Sequence, residues 1–260
     1  MLYHTLTDAL IHTLAKEELS ARSWPHFQLD YSLHHSLGDG VIFTGYLSAE
    51  DLHRIIPQLH AEGLLSKSRA DELQKAVIRW GASIRLMHNG RWYPYTGEAV
   101  ITASGFPDTA SSHEQDLIAA LDKQYRAVCQ SVKVRGYKVT EATHPEHFEE
   151  ELFCRRTQYI ELNAVALDPA EFGYNDVEDE VLKEFLKLIF EQRARVLTLR
   201  FNVKCNGTIM AQCWTSGVVI RPDEPVRKWV PLDEINYLAG EARAEIRAQA
   251  QAFSSFLSAA

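Results

Sequence analysis

The chain has 260 residues, of which 46% are hydrophobic and 24% charged, with 27 basic side chains against 35 acidic ones, a formal net charge of −8. A chain of this size and composition can bury a substantial core unaided. No uninterrupted apolar stretch reaches the length of a membrane span, so membrane insertion and export are not expected. The four cysteines, Cys129, Cys154, Cys205 and Cys213, lack CxxC spacing and read as reduced thiols, mostly core filler. The expected setting is cytoplasmic.

In chain order, Leu6, Leu10, Ile11 and Leu14 recur at helical spacing behind Thr5 as a cap, which predicts an amphipathic helix ending near Ser20. Phe27, Leu29, Tyr31 and Leu33 then alternate with polar residues, the period of a strand with one buried face. After Gly38-Asp39-Gly40, the stretch 41–47 reads as its hairpin partner. Ser48 and the acids Glu50 and Asp51 mark a helix start, and Leu52, Ile55, Ile56 and Leu59 form its stripe. A short helix follows over 68–75.

Trp80, Ala82, Ile84 and Leu86 alternate toward Asn89-Gly90, a strong tight-hairpin signal, with 92–102 as the returning strand. Ser112-His113-Glu114-Gln115 matches a capping box ahead of a long helix carrying Leu117, Leu121, Tyr125, Val128 and Val132. Trp80, Trp92, Tyr93 and Tyr95 cluster on the predicted hairpin as cross-strand packing. Further on, 157–167 reads as a strand, and Val177, Val181, Leu182, Phe185 and Ile189 as a helix. Leu199, Phe201, Val203 and Cys205 alternate up to Asn206-Gly207, and 208–220 returns. Ile235, Leu238, Ala242, Ile246, Ala250, Phe253 and Leu257 complete a helical stripe.

Strand, Asn-Gly, strand, helix therefore occurs twice. A shift of 117 places Asn89-Gly90 on Asn206-Gly207, Ile118 on Ile235 and Leu121 on Leu238. The expected fold is α+β, two imperfect copies of a β-hairpin plus long helix module, with antiparallel sheets covered by helices. The modules span 1–140 and 141–260, and no Gly/Ser/Pro-rich linker separates them, so they are expected to pack as one unit.

Two groups of residues invite a functional reading. His34, His35, Ser36, Gly38, Asp39 and Gly40 gather imidazoles, a hydroxyl, a carboxylate and pliant backbone in one turn, a candidate site for proton handling or a small ligand. The simpler reading is hairpin closure, with Ser32 and His34 on the solvent face. Between residues 141 and 190, thirteen acids face four basic residues, a balance of −9 that accounts for the whole acidic excess. Glu149, Glu150, Glu151, Asp176, Glu178, Asp179 and Glu180 form the core of this acidic face, which would repel nucleic acid and attract a basic protein surface. His144 and His147 followed by Glu149 to Glu151 lack the HExxH or paired CxxC patterns of zinc sites, and acidic helix surface is the expected reading. A two-residue loop at Asn206-Gly207 would pair Cys205 with Thr208 and set Cys213 near Arg200, out of disulfide register. There is no GxSxG, GxxxxGK or GxGxxG motif, and no cofactor or metal is expected.

Within 29–45, Ser36, Gly38, Asp39, Gly40, Phe43 and Gly45 fit a Ser-x-Gly-Asp-Gly-x-x-Phe-x-Gly turn between two strands. In this the stretch resembles a family of phage-encoded accessory proteins often labelled antitoxins of toxin-antitoxin stability systems. The N-terminal helix and Gly90-Arg91-Trp92-Tyr93 extend the resemblance over roughly the first 130 residues, although the family's glutamine before the first glycine is Leu37 here. The resemblance implies a non-enzymatic phage or mobile-element protein that binds a bacterial defence or toxin protein with a basic surface, in the manner of an anti-CRISPR inhibitor. The acidic face would then imitate nucleic acid. The alternative is a small-molecule or nucleotide-binding protein or enzyme with its site at Gly38-Asp39-Gly40; a homodimeric accessory protein is also compatible.

Overall fold

The computed structural model describes residues 4–36, 38–90, 98–168, 177–225 and 228–259, with 257–259 described by backbone alone. The chain divides into two compact units, one of Ile11–Tyr137 and one of Met1–Leu10 with Lys138–Ala260. The first ten residues thus group with the second module, and the division falls inside a helix at 137/138 rather than after 140.

Both modules follow one plan: a β-hairpin, a helical crossover, a second hairpin and a long helix. In the first, α1 (Leu6–Ser20) precedes β1 (Gln28–Ser32) and β2 (Gly40–Leu47), then α2 (Ala49–Ala61) and α3 (Lys67–Trp80), β3 (Ser83–His88) and β4 (Ala99–Ser104), and α4 (Ser111–Thr143). In the second, β5 (Glu150–Arg156) and β6 (Ile160–Leu167) are followed by α5 (Asp179–Gln192), β7 (Arg195–Cys205), β8 (Thr208–Ile220) and α6 (Leu232–Ala259). Each sheet has four antiparallel strands in sequence order. The fold is α+β.

The helix starts follow from local chemistry. Thr5 and Asp8 cap each other reciprocally at α1, the hydroxyl accepting from the Asp8 N–H at 3.0 Å and the Asp8 carboxylate from the Thr5 N–H at 3.1 Å. Ser48 and Asp51 form the same box at α2, whose Leu52, Ile55, Ile56 and Leu59 are fully buried. Ser66 caps α3, which runs past its expected end at 75 to Trp80. Gly81, at φ 59° with its N–H on the last-turn carbonyls, ends it. Trp80 and Ala82 therefore do not belong to the strand that their alternation predicts. Trp80 instead packs edge-on against Phe106 and His113; Trp92, Tyr93 and Tyr95 lie outside the described residues. Ser112 is not a cap either, since a 3₁₀ turn at Asp108–Ala110 leads directly into α4 and the Ser112 hydroxyl accepts from Arg69.

The two Asn-Gly pairs differ. Asn206 and Gly207, at φ 48° and 84°, close a two-residue turn with Cys205 opposite Thr208. In the first module, by contrast, His88 pairs with Ala99, so Asn89-Gly90 does not close a two-residue loop. A bulge at Val203/Lys204 shifts the later register and sets Cys213 opposite Phe201 rather than near Arg200. All four cysteines carry free thiols; Cys129 is fully buried, Cys213 packs half-buried against the core of the second unit, and Cys154 and Cys205 are half-buried outside it.

The long helices cover one face of each sheet. Leu117, Leu121, Tyr125 and Val128 of α4 are buried in the first unit. In the second, Leu238 and Ala242 of α6 join Leu197, Leu199, Phe201 and Val203 in one cluster. Tyr125 also mends the first sheet. β2 pairs with β3 only from Gly45 to Leu47, and one backbone edge of Phe43 is served instead by the Tyr125 hydroxyl, which accepts from its N–H at 2.9 Å and donates to its carbonyl at 3.1 Å. Tyr125→Phe strands both backbone groups in the core and is expected to lower stability by about 2–3 kcal/mol, read as an earlier urea midpoint at unchanged slope.

Candidate functional site

The turn at 34–40 is built around one carboxylate. Ser32 pairs with Gly40, leaving a seven-residue connection, not a tight Asp-Gly hairpin. Asp39, 5% exposed, fills it from within. Its Oδ1 accepts from the hydroxyls of Ser32 at 2.7 Å and Ser36 at 2.6 Å, and its Oδ2 from the backbone N–H groups of His34 and Ser36, both at 2.7 Å. Tyr137 reaches Oδ2 at 3.5 Å, and Lys133 donates to the Asp39 carbonyl at 2.6 Å. Ser32 therefore points into the loop and not to solvent. Burial works to raise the Asp39 pKa, but the bonds from Ser36, Ser32 and His34 outweigh it and hold the group far below the ordinary carboxylate range. A carboxylate with about four acceptor positions is filled by these donors, which leaves Asp39 no capacity as a base or metal ligand. His34 and His35 are exposed; His35, at φ 56°, stacks on Tyr137 with centroids 4.0 Å apart. Gly38, at φ 88°, supplies the reversal, and Gly40 is buried in β2.

The acidic segment folds differently from its expected helical surface. α4 ends at Thr143, the His144 ring turns back on the Thr140 carbonyl at 2.9 Å, and Glu150–Arg156 forms β5. His144 and His147 therefore share no helix face. Glu149, at φ 53°, accepts from Arg200 at 2.7 Å. Glu150 is clasped by both Arg195 terminal nitrogens at 2.8 and 2.7 Å, and that bond holds its carboxyl below the usual range against the opposing effect of burial. Glu151 accepts from the Asn163 amide at 3.0 Å. Glu178 is the N-cap residue of α5, with Asp179 and Glu180 in its first turn, where they complement the helix dipole; Glu180 also pairs with Lys183. Asp176 lies outside the described residues. Reversing charge at Glu149 or Glu150 would set cations against Arg200 or Arg195, so these acids serve the fold before any partner.

Two of them border a feature that sequence reasoning missed. One face of the second sheet is apolar and meets α6; the other buries Val165, Leu167 and Val196 toward one end and carries polar residues over the rest. In register across all four strands stand Cys154, Asn163, Asn202 and Gln212. Asn202 donates to Asn163 at 2.9 Å, and both are almost fully buried, 1% and 3% exposed. The Asn202 Oδ1 and the Arg200 Nε are buried without a hydrogen-bond partner. On one flank Val165, Arg200 and Trp214 stand in register, and on the other Glu161 pairs with Lys204 and Arg156. Along β8 this face is open: Gln212 and Ser216 are exposed and Trp214 is 46% exposed. Alternation of Arg200, Asn202 and Lys204 was visible in the sequence, but the missing β5 hid the row they complete.

Glu151, Cys154 and Glu161 approach one another within 4.8 Å on this face. Glu161 is already held by Lys204 at 3.2 Å and Arg156 at 2.6 Å, and Glu151 by Asn163, so the set fits an ion-pair network better than a metal. A separate surface cavity of about 330 Å³ is lined by residues 144–149 with Ala166, Leu167 and Asp168.

Among the described residues no helix is long and apolar enough to cross a membrane. No curated protein and no solved structure matches the chain. Residues 150–257 match the family model described as the C-terminal domain of YubG, so the stretch from the first residue of β5 nearly to the end of α6, which carries the whole polar sheet face, is similar to that domain.

Proposed function

We propose that the protein is a non-enzymatic binding protein of the bacterial cytoplasm, whose second unit grips a protein target through the polar face of β5 to β8. The observation that carries this reading is the cross-strand row ending in Gln212 beside exposed Trp214, with a buried acceptor on Asn202 and a buried donor on Arg200 still unmatched. Buried polar groups without partners are uncommon and call for a physical account, and a target that repacks this face would supply one. An aromatic ring beside an arginine and carboxamides is also the composition of interface centres. The resemblance of residues 29–45 to phage-encoded accessory proteins supports, as the target class, a bacterial toxin or defence protein that is inhibited by being occupied.

Charge on this face balances, with Glu149, Glu151 and Glu161 against Arg156, Arg200 and Lys204. Imitation of nucleic acid is therefore not the favoured mode, and the complex should tolerate salt. The test is capture from a bacterial lysate by the tagged full chain, with and without Gln212→Ala plus Trp214→Ala. The expected result is one protein retained through high salt and at least tenfold depleted with the double variant. Equal capture by the variant, or a complex that salt dissolves, would count against this surface.

A further inference from the structure

We infer that two copies of this chain associate through the C-terminal half of α6, each covering the other's apolar stripe. Leu238 and Ala242 are buried against the second sheet and Ile235 and Ile246 half-buried, but the same stripe continues with Ala250, Phe253 and Phe256 exposed. Phe253 is 63% and Phe256 70% exposed. At 3.6 residues per turn, Phe253 stands five turns beyond Ile235 on one face, with Phe256 beside it.

The first module shows that this stretch of the long helix is normally enclosed. The shift of 117 sets Phe253 and Phe256 on Gly136 and Val139 of α4. A Cβ on Gly136 would come within 2.6 Å of Leu33, and Val139, just past the division at 137/138, is fully buried as well. α1 is anchored alongside, Glu18 accepting from Ser131 and Arg135 at 2.8 and 2.7 Å. In the second module the matching positions carry two large rings with little around them.

Charge points to a second copy as the occupant. After Arg247 the helix carries no charged residue, running AQAQAFSSFLSA, so it offers nothing to an acidic or basic partner and is complementary to itself. An antiparallel pair of these ends, each about 20 Å long, would bury four phenylalanines at roughly 150–250 Å² apiece, less what is already covered. With the intervening alanines the total stays below about 1,200 Å², in the range of weak, transient interfaces. The dimer is therefore expected to be of micromolar strength and insensitive to salt.

Sedimentation velocity of the full chain from about 1 to 200 µM, in low and high salt, tests this. The expected result is a mass rising toward twice the 29.5 kDa of the chain. Phe253→Glu with Phe256→Glu should hold it monomeric with an unchanged melting temperature. Gln251→Glu with Ser255→Glu, the same charge change on the opposite helix face, should dimerise like the wild type. A wild type that stays monomeric throughout, a dimer dissolved by salt, or a dimer indifferent to the phenylalanine changes would each overturn the inference.

Discussion

Asp39→Ala is expected to lower stability by about 3–4 kcal/mol, because it leaves the His34 and Ser36 amides and the Ser32 and Ser36 hydroxyls without their shared acceptor in a buried loop. The same bonds make the loss pH-dependent. The folded-state pKa of Asp39 lies below its ordinary value of 3.8, so its stabilisation is complete above that value. It is lost as pH falls from there through the folded-state pKa. Urea unfolding at about pH 7 and about pH 3 should show the wild type weakening on acidification and Asp39→Asn weakening less steeply over that interval. Parallel losses in the two proteins would remove Asp39 from the account of acid lability. Activity is not the readout, since a carboxylate with its acceptor positions filled is a structural anchor.

The second large effect is expected at Glu18. Only 9% exposed, it joins α1 to α4 by accepting from Arg135 at 2.7 Å and Ser131 at 2.8 Å, and it also holds Arg22 at 2.8 Å. Burial pushes its pKa up, but the bonds from Arg135, Ser131 and Arg22 together hold it below the ordinary value of 4.5. Glu18→Ala leaves two guanidinium groups facing each other without the anion between them, and should cost about 2–3 kcal/mol. Adding Arg135→Ala to Glu18→Ala should cost less than the sum of the single changes, because both remove the same bond. Strict additivity in that double-mutant cycle would show that the contact contributes little. Glu18 is ionised and fully effective above about pH 4.5, and loses its contribution as pH falls below it.

Helices and their faces were legible because apolar spacing is a local signal. Leu52, Ile55, Ile56 and Leu59 are buried as their spacing demands, and Thr5 and Ser48 cap as expected. Strand pairing was less legible because register depends on distant partners. Asn89-Gly90 carries the same dipeptide as Asn206-Gly207, yet His88 finds Ala99 across the sheet. β5 escaped notice because Glu150 to Arg156 is heavily charged and its alternation is interrupted by a bulge between Glu151 and Phe153. Without β5 the acids at 149–151 read as a solvated surface, while in the fold they meet Arg200, Arg195 and Asn163. For the same reason the polar row from Cys154 to Gln212 has no local signature, since its four members come from four strands.

The duplicated plan gives the two modules unequal roles. The first has a carboxylate-centred loop and an enclosed long helix, features that consolidate a fold. The second leaves the β8 side of its polar sheet face and the end of its long helix exposed, the two surfaces proposed to meet other molecules. Its polar face is the surface on which the proposed function stands.

Site-specific photocrosslinking tests that surface most directly. A photoreactive phenylalanine replaces Trp214 in the tagged full chain, with Ile78, 50% exposed on α3, as the control position. The account predicts one protein adduct from position 214 in a bacterial lysate, suppressed by excess unmodified chain, and none from position 78. Adducts from position 78 alone, or no protein adduct at 214 while a small molecule remains bound to the purified chain, would contradict it.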